Sequence, residues 1–296
     1  MTKTAASSSP TEPVGESPAL RWSEGAGWAG GPERLAVEAP LAIEIAYPRQ
    51  GRRVQKVLAV TMRTPGADEE LALGFLLGEG LIAGLADVVG GTAADENARG
   101  ETIVTWRVEL AAAPREDLER VSWGLITSSA CGVCGRSTLE GLPVRRVPAG
   151  GLVAAELIAR LPELLRQQQP AFAASGGSHG AGLCDESGRL LLAREDVGRH
   201  NAVDKLMGAA LRSGIASAGK ILVLSGRASF ELLQKASAAG IAWVVAVGAP
   251  SSLAVDLAHA AGITLVGFAR GNRFTVYAHA DRVVGSAQGG VGERAP

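Results

Sequence analysis

From Leu35 the apolar and polar positions fall into register. Leu41, Ile43, Ile45 and Tyr47 alternate with Ala42, Glu44 and Ala46, the period of a half-buried strand, and Val54 to Met62 reads as its partner. Pro65-Gly66-Ala67-Asp68-Glu69-Glu70 then supplies a turn and an acidic first helical turn, which suits the positive end of a helix dipole. A helix is expected from about Asp68 to Gly78, and another strand over Thr102 to Leu110. The second half alternates element types. Leu152 to Gln169 is helix-like with Pro162 as an interruption, and Ala181 to Cys184 and Arg189 to Glu195 flank Asp185-Glu186-Ser187-Gly188 as a hairpin. Asn201 to Arg212 reads as a helix ended by Gly214. A strand (Lys220 to Leu224), helix (Ser229 to Ala239), strand (Ile241 to Val247), helix (Ser251 to Ala261) and strand (Thr264 to Phe268) follow, a βαβαβ series that argues a parallel sheet with right-handed crossovers.

Outside these patterns, residues 1–33 are rich in Ser, Pro and Gly without an apolar period and are expected to form a disordered tail. The expected organisation is that tail, a small β-rich unit over 34–120, a flexible cysteine loop and linker over 121–149, an α/β unit over 150–285 and a frayed tail over 286–296. A length of 296 residues fits about two domains.

Composition removes several function classes. The 29 basic residues nearly cancel the 30 acidic ones, so no global positive field draws a nucleic-acid backbone, and 4% aromatic content leaves few platforms for stacked bases. No apolar run approaches a membrane span and no apolar signal core follows Met1-Thr2-Lys3. Three cysteines make no disulfide scaffold. These features lead us to expect a cytoplasmic protein that binds neither nucleic acid nor membrane. Glycine, at 39 residues, is nearly twice its usual share of about 7%. Many of these glycines fall at the predicted strand-to-helix turns, where backbone must come close to a ligand.

In an open α/β sheet, ligands bind beyond the carboxyl ends of the strands. The segments leaving those ends are Ser225-Gly226-Arg227, Gly248-Ala249-Pro250-Ser251-Ser252 and Ala269-Arg270-Gly271-Asn272-Arg273, so all three are expected on one edge. Glycines, serine hydroxyls and the guanidinium forks of Arg227, Arg270 and Arg273 suit a phosphate-bearing ligand, although each loop alone also reads as ordinary turn and cap chemistry. The βαβαβ series carries neither the dinucleotide Gly-x-Gly-x-x-Gly after a strand nor the P-loop glycine motif. Upstream, Ser175-Gly176-Gly177-Ser178-His179-Gly180 and the polar run Arg194 to Lys205 place His179, Asp196 and His200 beside glycine-rich turns. Asp196 and Asn201 also read as helix caps, with Arg199 and Lys205 solvated.

Cys131-Gly132-Val133-Cys134 lies in a polar, glycine-flanked stretch next to Arg136, a setting that favours a reactive thiolate. Dithiol redox, zinc binding and sulfur relay all use such a pair, and spacing alone leaves the three open. Cys184, inside a strand, reads as a small core residue.

Taken in order, the motifs resemble the formate dehydrogenase accessory sulfurtransferase family of FdhD/NarQ type. The matching segments are Met62 to Gly66 with Glu70 to Leu76, Cys131 to Gly135, Arg194 to Lys205, Ser225 to Glu231, Ala249 to Val255 and Gly267 to Arg270. The family's usual Thr-Gly-Gly-x-His appears as Ser175-Gly176-Gly177-Ser178-His179, a departure that keeps a hydroxyl. The resemblance implies a cytidine-deaminase-like α/β C-terminal domain, with βαβ layers, beside a smaller β-rich N-terminal domain. It implies a sulfurtransferase that takes sulfur from a cysteine desulfurase as a persulfide on Cys131, with Cys134 assisting. The sulfur would pass to the molybdenum (or tungsten) bis(molybdopterin guanine dinucleotide) cofactor, held as a bound client, before formate dehydrogenase receives it. Phe268, Ala269, Arg270, Gly271, Asn272 and Arg273 are the cofactor segment carried over, and a homodimer without a metal of its own is expected. Two alternatives remain: a non-catalytic cofactor chaperone and a zinc deaminase. The deaminase needs a His/Cys-x-Glu segment upstream of Pro-Cys-x-x-Cys, whereas here no histidine precedes Cys131 and Ala130 replaces the proline.

Overall fold

Four consecutive apolar residues, Ile221 to Leu224, have no face to show water, and each is buried. They form β10 (Ile221–Leu224) at the centre of a six-stranded sheet in the order β13-β12-β11-β10-β8-β9. Its other members are β8 (His179–Cys184), β9 (Leu190–Asp196), β11 (Trp243–Ala246), β12 (Thr264–Arg270) and β13 (Arg273–Ala278). The computed structural model describes residues 12–114, 118 and 145–285.

The strands β10, β11 and β12 are parallel, as the alternation predicts. The sheet as a whole is mixed, because β8 runs antiparallel to β10 and β9, and β13 antiparallel to β12. Side chains alternate between two cores. Ile221, Val223, Trp243, Val245 and Val266 face one side, where α2 (Ala155–Arg166) lays down Ile158, Leu161 and Leu165. Leu222, Leu224, Val244, Ala246 and Leu265 face the other, against α4 (Arg199–Arg212), α5 (Phe230–Ala238) and α6 (Ser252–Ala261). Helix α2 continues through Pro162, contrary to the expected interruption. Its apolar stripe at 158, 161 and 165 is buried along the whole length, and that packing outweighs the lost backbone bond.

The N-terminal strands form a second sheet, β4-β3-β6-β5, from β3 (Ala39–Arg49), β4 (Arg52–Arg63), β5 (Val88–Glu96) and β6 (Thr102–Leu110). Strand β3 is not half-buried as its alternation suggests. Leu41 to Tyr47 are buried throughout, and Glu44 on the second face is held by Arg107 and by the Ala98 N–H. The two predicted units share one core: Leu41, Ile43, Leu71, Leu73 and Leu76 belong to the same apolar cluster as Val203, Leu206, Met207, Leu232 and Leu233. The join is a helix crossing, in which α1 (Asp68–Gly78) lies on α4 with Gly74 and Gly208 at the contact. A Cβ placed on Gly74 would meet the Asp204 carbonyl at 1.8 Å, and one on Gly208 the Glu70 carbonyl at 1.8 Å.

The expected disordered tail is corrected over most of its length. β1 (Val14–Ser23) and β2 (Gly27–Ala36) pair as an antiparallel hairpin, with Trp22 opposite Trp28 and Pro18 opposite Pro32. A two-stranded ribbon consists of edges alone, where proline is tolerated, so Ser/Pro/Gly composition did not exclude pairing. The base of the hairpin meets the turn after α3 (Pro170–Ser175): a Cβ on Gly177 would lie 3.1 Å from that of Ala36. Short strands β7 (Val153–Ala154) and β14 (Val283–Val284) pair in parallel.

Candidate functional site

The three loops meet on one edge, and backbone hydrogen bonds fasten them to one another. Gly248 N–H donates to the Gly226 carbonyl at 2.9 Å, Ala228 to Ala249 at 3.2 Å, Ser251 to Ala228 at 3.0 Å and Phe268 to Gly248 at 3.1 Å. Ser225 joins them to β8 twice, donating its N–H to the Gly180 carbonyl and accepting the Gly180 N–H on Oγ at 2.8 Å. Close approach explains two of the glycines. A Cβ on Gly248 would stand 3.0 Å from the Arg227 backbone, and one on Gly267 would stand 2.8 Å from the Pro250 ring.

Two clefts open along this edge. The larger, of 830 Å³, runs between α2 and the sheet and is lined by Ser178, His179, Ser225, Ala269, Arg270 and Gly271 together with Arg166, Gln169 and Phe172. The smaller, of 440 Å³, is lined by Gly248, Phe268, Arg270 and Arg273, so Arg270 borders both. Phe268 stands half-exposed with φ of 52° at a register irregularity in β12, a rare conformation for a bulky residue and one that collects at ligand sites. Gly226 packs against His179, and Arg227, Pro250, Ser251, Ser252 and Asn272 lie on the same edge outside the linings of these two clefts. Ser251 caps α6 by accepting the Ala254 N–H at 3.3 Å. Burial, then the charge of Arg199, holds His179 below its ordinary value of 6.5, so it presents a neutral ring to the larger cleft.

Asp196, expected among the ligand contacts, is corrected: it is 0% exposed. Its carboxylate accepts the N–H groups of Thr64 at 3.0 Å and Gly198 at 2.8 Å and the Asn201 amide at 3.1 Å, and pairs with Lys205 Nζ at 2.7 Å. Its role is to fix the entry into α4 and to tie that helix to the segment 62–64. His200, one residue inside α4, faces Glu231 rather than either cleft, with Nε2 at 3.4 Å from Oε2. Burial lowers His200, and the bond from His200, joined by one from Ser229, holds Glu231 down from 4.5 to about 2. The unfolded chain therefore binds the extra proton between those values. Glu231's contribution is complete above pH 4.5 and is lost as pH falls towards 2. Thermal unfolding midpoints should consequently fall less between about pH 5 and about pH 3 in Glu231→Gln than in the parent; equal falls would contradict the pairing.

Sequence reasoning missed the support for the Gly176-Gly177 turn. Glu195 accepts the N–H groups of Ala171 at 2.9 Å and Phe172 at 2.8 Å and the Ser178 hydroxyl at 2.7 Å, capping α3 from the neighbouring strand. It also missed the bidentate pair Arg194–Glu70, at 2.6 and 2.8 Å, although both residues lie in the motif segments. Cys131 and Cys134 lie outside the described residues. Cys184 is buried, and burial pushes its thiol up to about 12, the state of an inert core residue. Among the described residues, no group of three or more His, Cys, Asp or Glu side chains is placed to hold a metal, and no helix is long and apolar enough to cross a membrane.

The model of the FdhD/NarQ family matches residues 36–284. The chain belongs to the FdhD/NarQ family. An FdhD/NarQ relative from Anaeromyxobacter dehalogenans (strain 2CP-C), named sulfur carrier protein FdhD, is 49% identical over 265 residues, covering 85% of this chain and 88% of that protein. A protein of the same name from Mycobacterium tuberculosis is 47% identical over 262 residues, covering 85% and 92%. Among solved structures, a protein from Desulfotalea psychrophila named as a formate dehydrogenase accessory protein superposes with a TM-score of 0.67 at 26% identity, over 93% of this chain and 100% of that one. The β1–β2 hairpin lies almost wholly upstream of the family match.

Proposed function

We propose that this chain carries sulfur to the cofactor of a formate dehydrogenase. Cys131 thiolate attacks the outer sulfur of a persulfide on a cysteine desulfurase; the donor's S–S bond breaks and the donor cysteine leaves as thiolate with the electron pair. Cys131 now bears the persulfide. Attack by Cys134 thiolate on the Cys131 sulfur then expels the terminal sulfur as sulfide to the client, a molybdenum bis(molybdopterin guanine dinucleotide), and leaves a Cys131–Cys134 disulfide for a cellular dithiol to reduce. The carrying observation is the 47–49% identity, across 85% of the chain, to proteins named sulfur carrier protein FdhD.

The client side of the reading is supported by the edge geometry. Nucleotide phosphates suit a rim with three exposed arginines, Arg227, Arg270 and Arg273, and with loops joined closely at Gly226 and Gly248. The same reading takes the larger sheet as deaminase-like, on the order β9-β8-β10-β11-β12 with α2 on one face and α4, α5 and α6 on the other. It also takes the chain as a cytoplasmic homodimer. Titration of the purified protein with GDP tests the client site: Arg270→Ala, which removes a fork shared by both clefts, should bind about tenfold or more weakly, as loss of a charged hydrogen bond does. Unchanged affinity would place the client elsewhere.

A further inference from the structure

Gln169 sits at the floor of the larger cleft, between α2 and α3. Its side chain is 3% exposed, yet Nε2 is buried with no hydrogen-bond partner. The amide packs against Gly180 of β8, where a Cβ would fall 2.6 Å from both Cδ and Nε2. Gly180 thus leaves room for this amide, while nothing in the protein bonds to its donor. Buried amides are almost always satisfied, and an orphan one that borders a cleft marks a partner supplied from outside. Next to it, the Arg166 guanidinium lies 4.4 Å over the Phe172 ring, and both border the same cleft. A guanidinium stacked on an aromatic ring forms a flat wall suited to a planar heterocycle. Arg270 and the neutral His179 border the same cleft.

We infer that Gln169 determines base recognition in the larger cleft. Its amide pairs with the edge of a nucleobase that lies against the Arg166–Phe172 wall, while the phosphates extend towards Arg270. A primary amide offers a donor beside an acceptor, and the N1–H and O6 of guanine are the complement of that pair. The inference rests on the client reading above and adds to it which side chain reads the base.

Calorimetric titration of the full-length protein with GDP and, separately, with inorganic pyrophosphate tests it. Gln169→Leu should weaken GDP about tenfold and leave pyrophosphate unchanged, because only the base contact is lost. Its melting temperature should stay at or above that of the parent, since an unsatisfied buried donor is removed. Gln169→Glu, which keeps the shape but replaces the donor with an acceptor, should weaken GDP as well. Equal GDP affinity in parent and variants overturns the assignment and leaves the client site standing. A parallel fall for GDP and pyrophosphate also overturns it, by making Gln169 a prop of the cleft. A parent that binds pyrophosphate but no GDP overturns the assignment together with the client reading.

Discussion

Replacing Gly74 or Gly208 by alanine should abolish stable folding. Each new methyl carbon would arrive 1.8 Å from a carbonyl oxygen of the opposing helix, about half the ordinary contact distance, and the clashing atom is backbone. The helices cannot simply part. Glu70 on α1 is bound bidentately by Arg194, and Asp204 on α4 is paired with the buried Lys235 of α5 at 2.7 Å. Leu71, Ala72, Leu73, Leu76 and Leu77 are also buried in the core common to both sheets. We expect a loss of about 3 kcal/mol or more, at or beyond the upper end for overpacked cores, seen as insoluble protein or a melting temperature many degrees lower. Gly90, on the exposed strand β5, has nothing within 4 Å of its Cβ position, and Gly90→Ala should stay within about 0.5 kcal/mol of the parent. Near-parental melting of Gly74→Ala would refute the crossing.

The second large effect is expected at Asp196→Ala. Lys205 is 2% exposed, and its other bond, to the Thr64 carbonyl at 2.7 Å, does not neutralise its charge. Removing the carboxylate also strands the Thr64 and Gly198 N–H groups and takes one of its bonds from the Asn201 amide, which keeps those to Met62 and Thr61. Breaking one side of a buried pair in this way costs about 3–5 kcal/mol, whereas replacing both sides with apolar residues is far milder. Asp196→Leu with Lys205→Met should therefore recover much of the stability in chemical denaturation. If the single variant were as stable as the parent, the carboxylate would not be the anchor described.

The contrast between the correct and incorrect sequence expectations is physical. The three loops were placeable because Leu222, Val223 and Leu224, or Val244 and Val245, are apolar runs between helical patterns, and a βαβαβ order puts their exits on one edge. Strand β13 was not visible, since Arg273–Ala278 is a short edge strand with Phe274 and Val276 only partly covered. The hairpin escaped because its pairing lies in the register of Trp22 with Trp28, not in its composition. Asp196 was misassigned for a tertiary reason: its partner Thr64 lies 132 positions upstream. Gln169 carried no local signal at all. What marks it is tertiary: Gly180, on another element, makes space for an amide whose Nε2 has no partner in the protein.

The central claim is that sulfur travels on this chain. Intact-mass analysis after anaerobic incubation with a cysteine desulfurase and cysteine tests it most directly. The account predicts a gain of one sulfur atom in the parent, removed by a dithiol reductant and absent in Cys131→Ser. A parent that gains no sulfur on either Cys131 or Cys134 while the desulfurase turns over would contradict it.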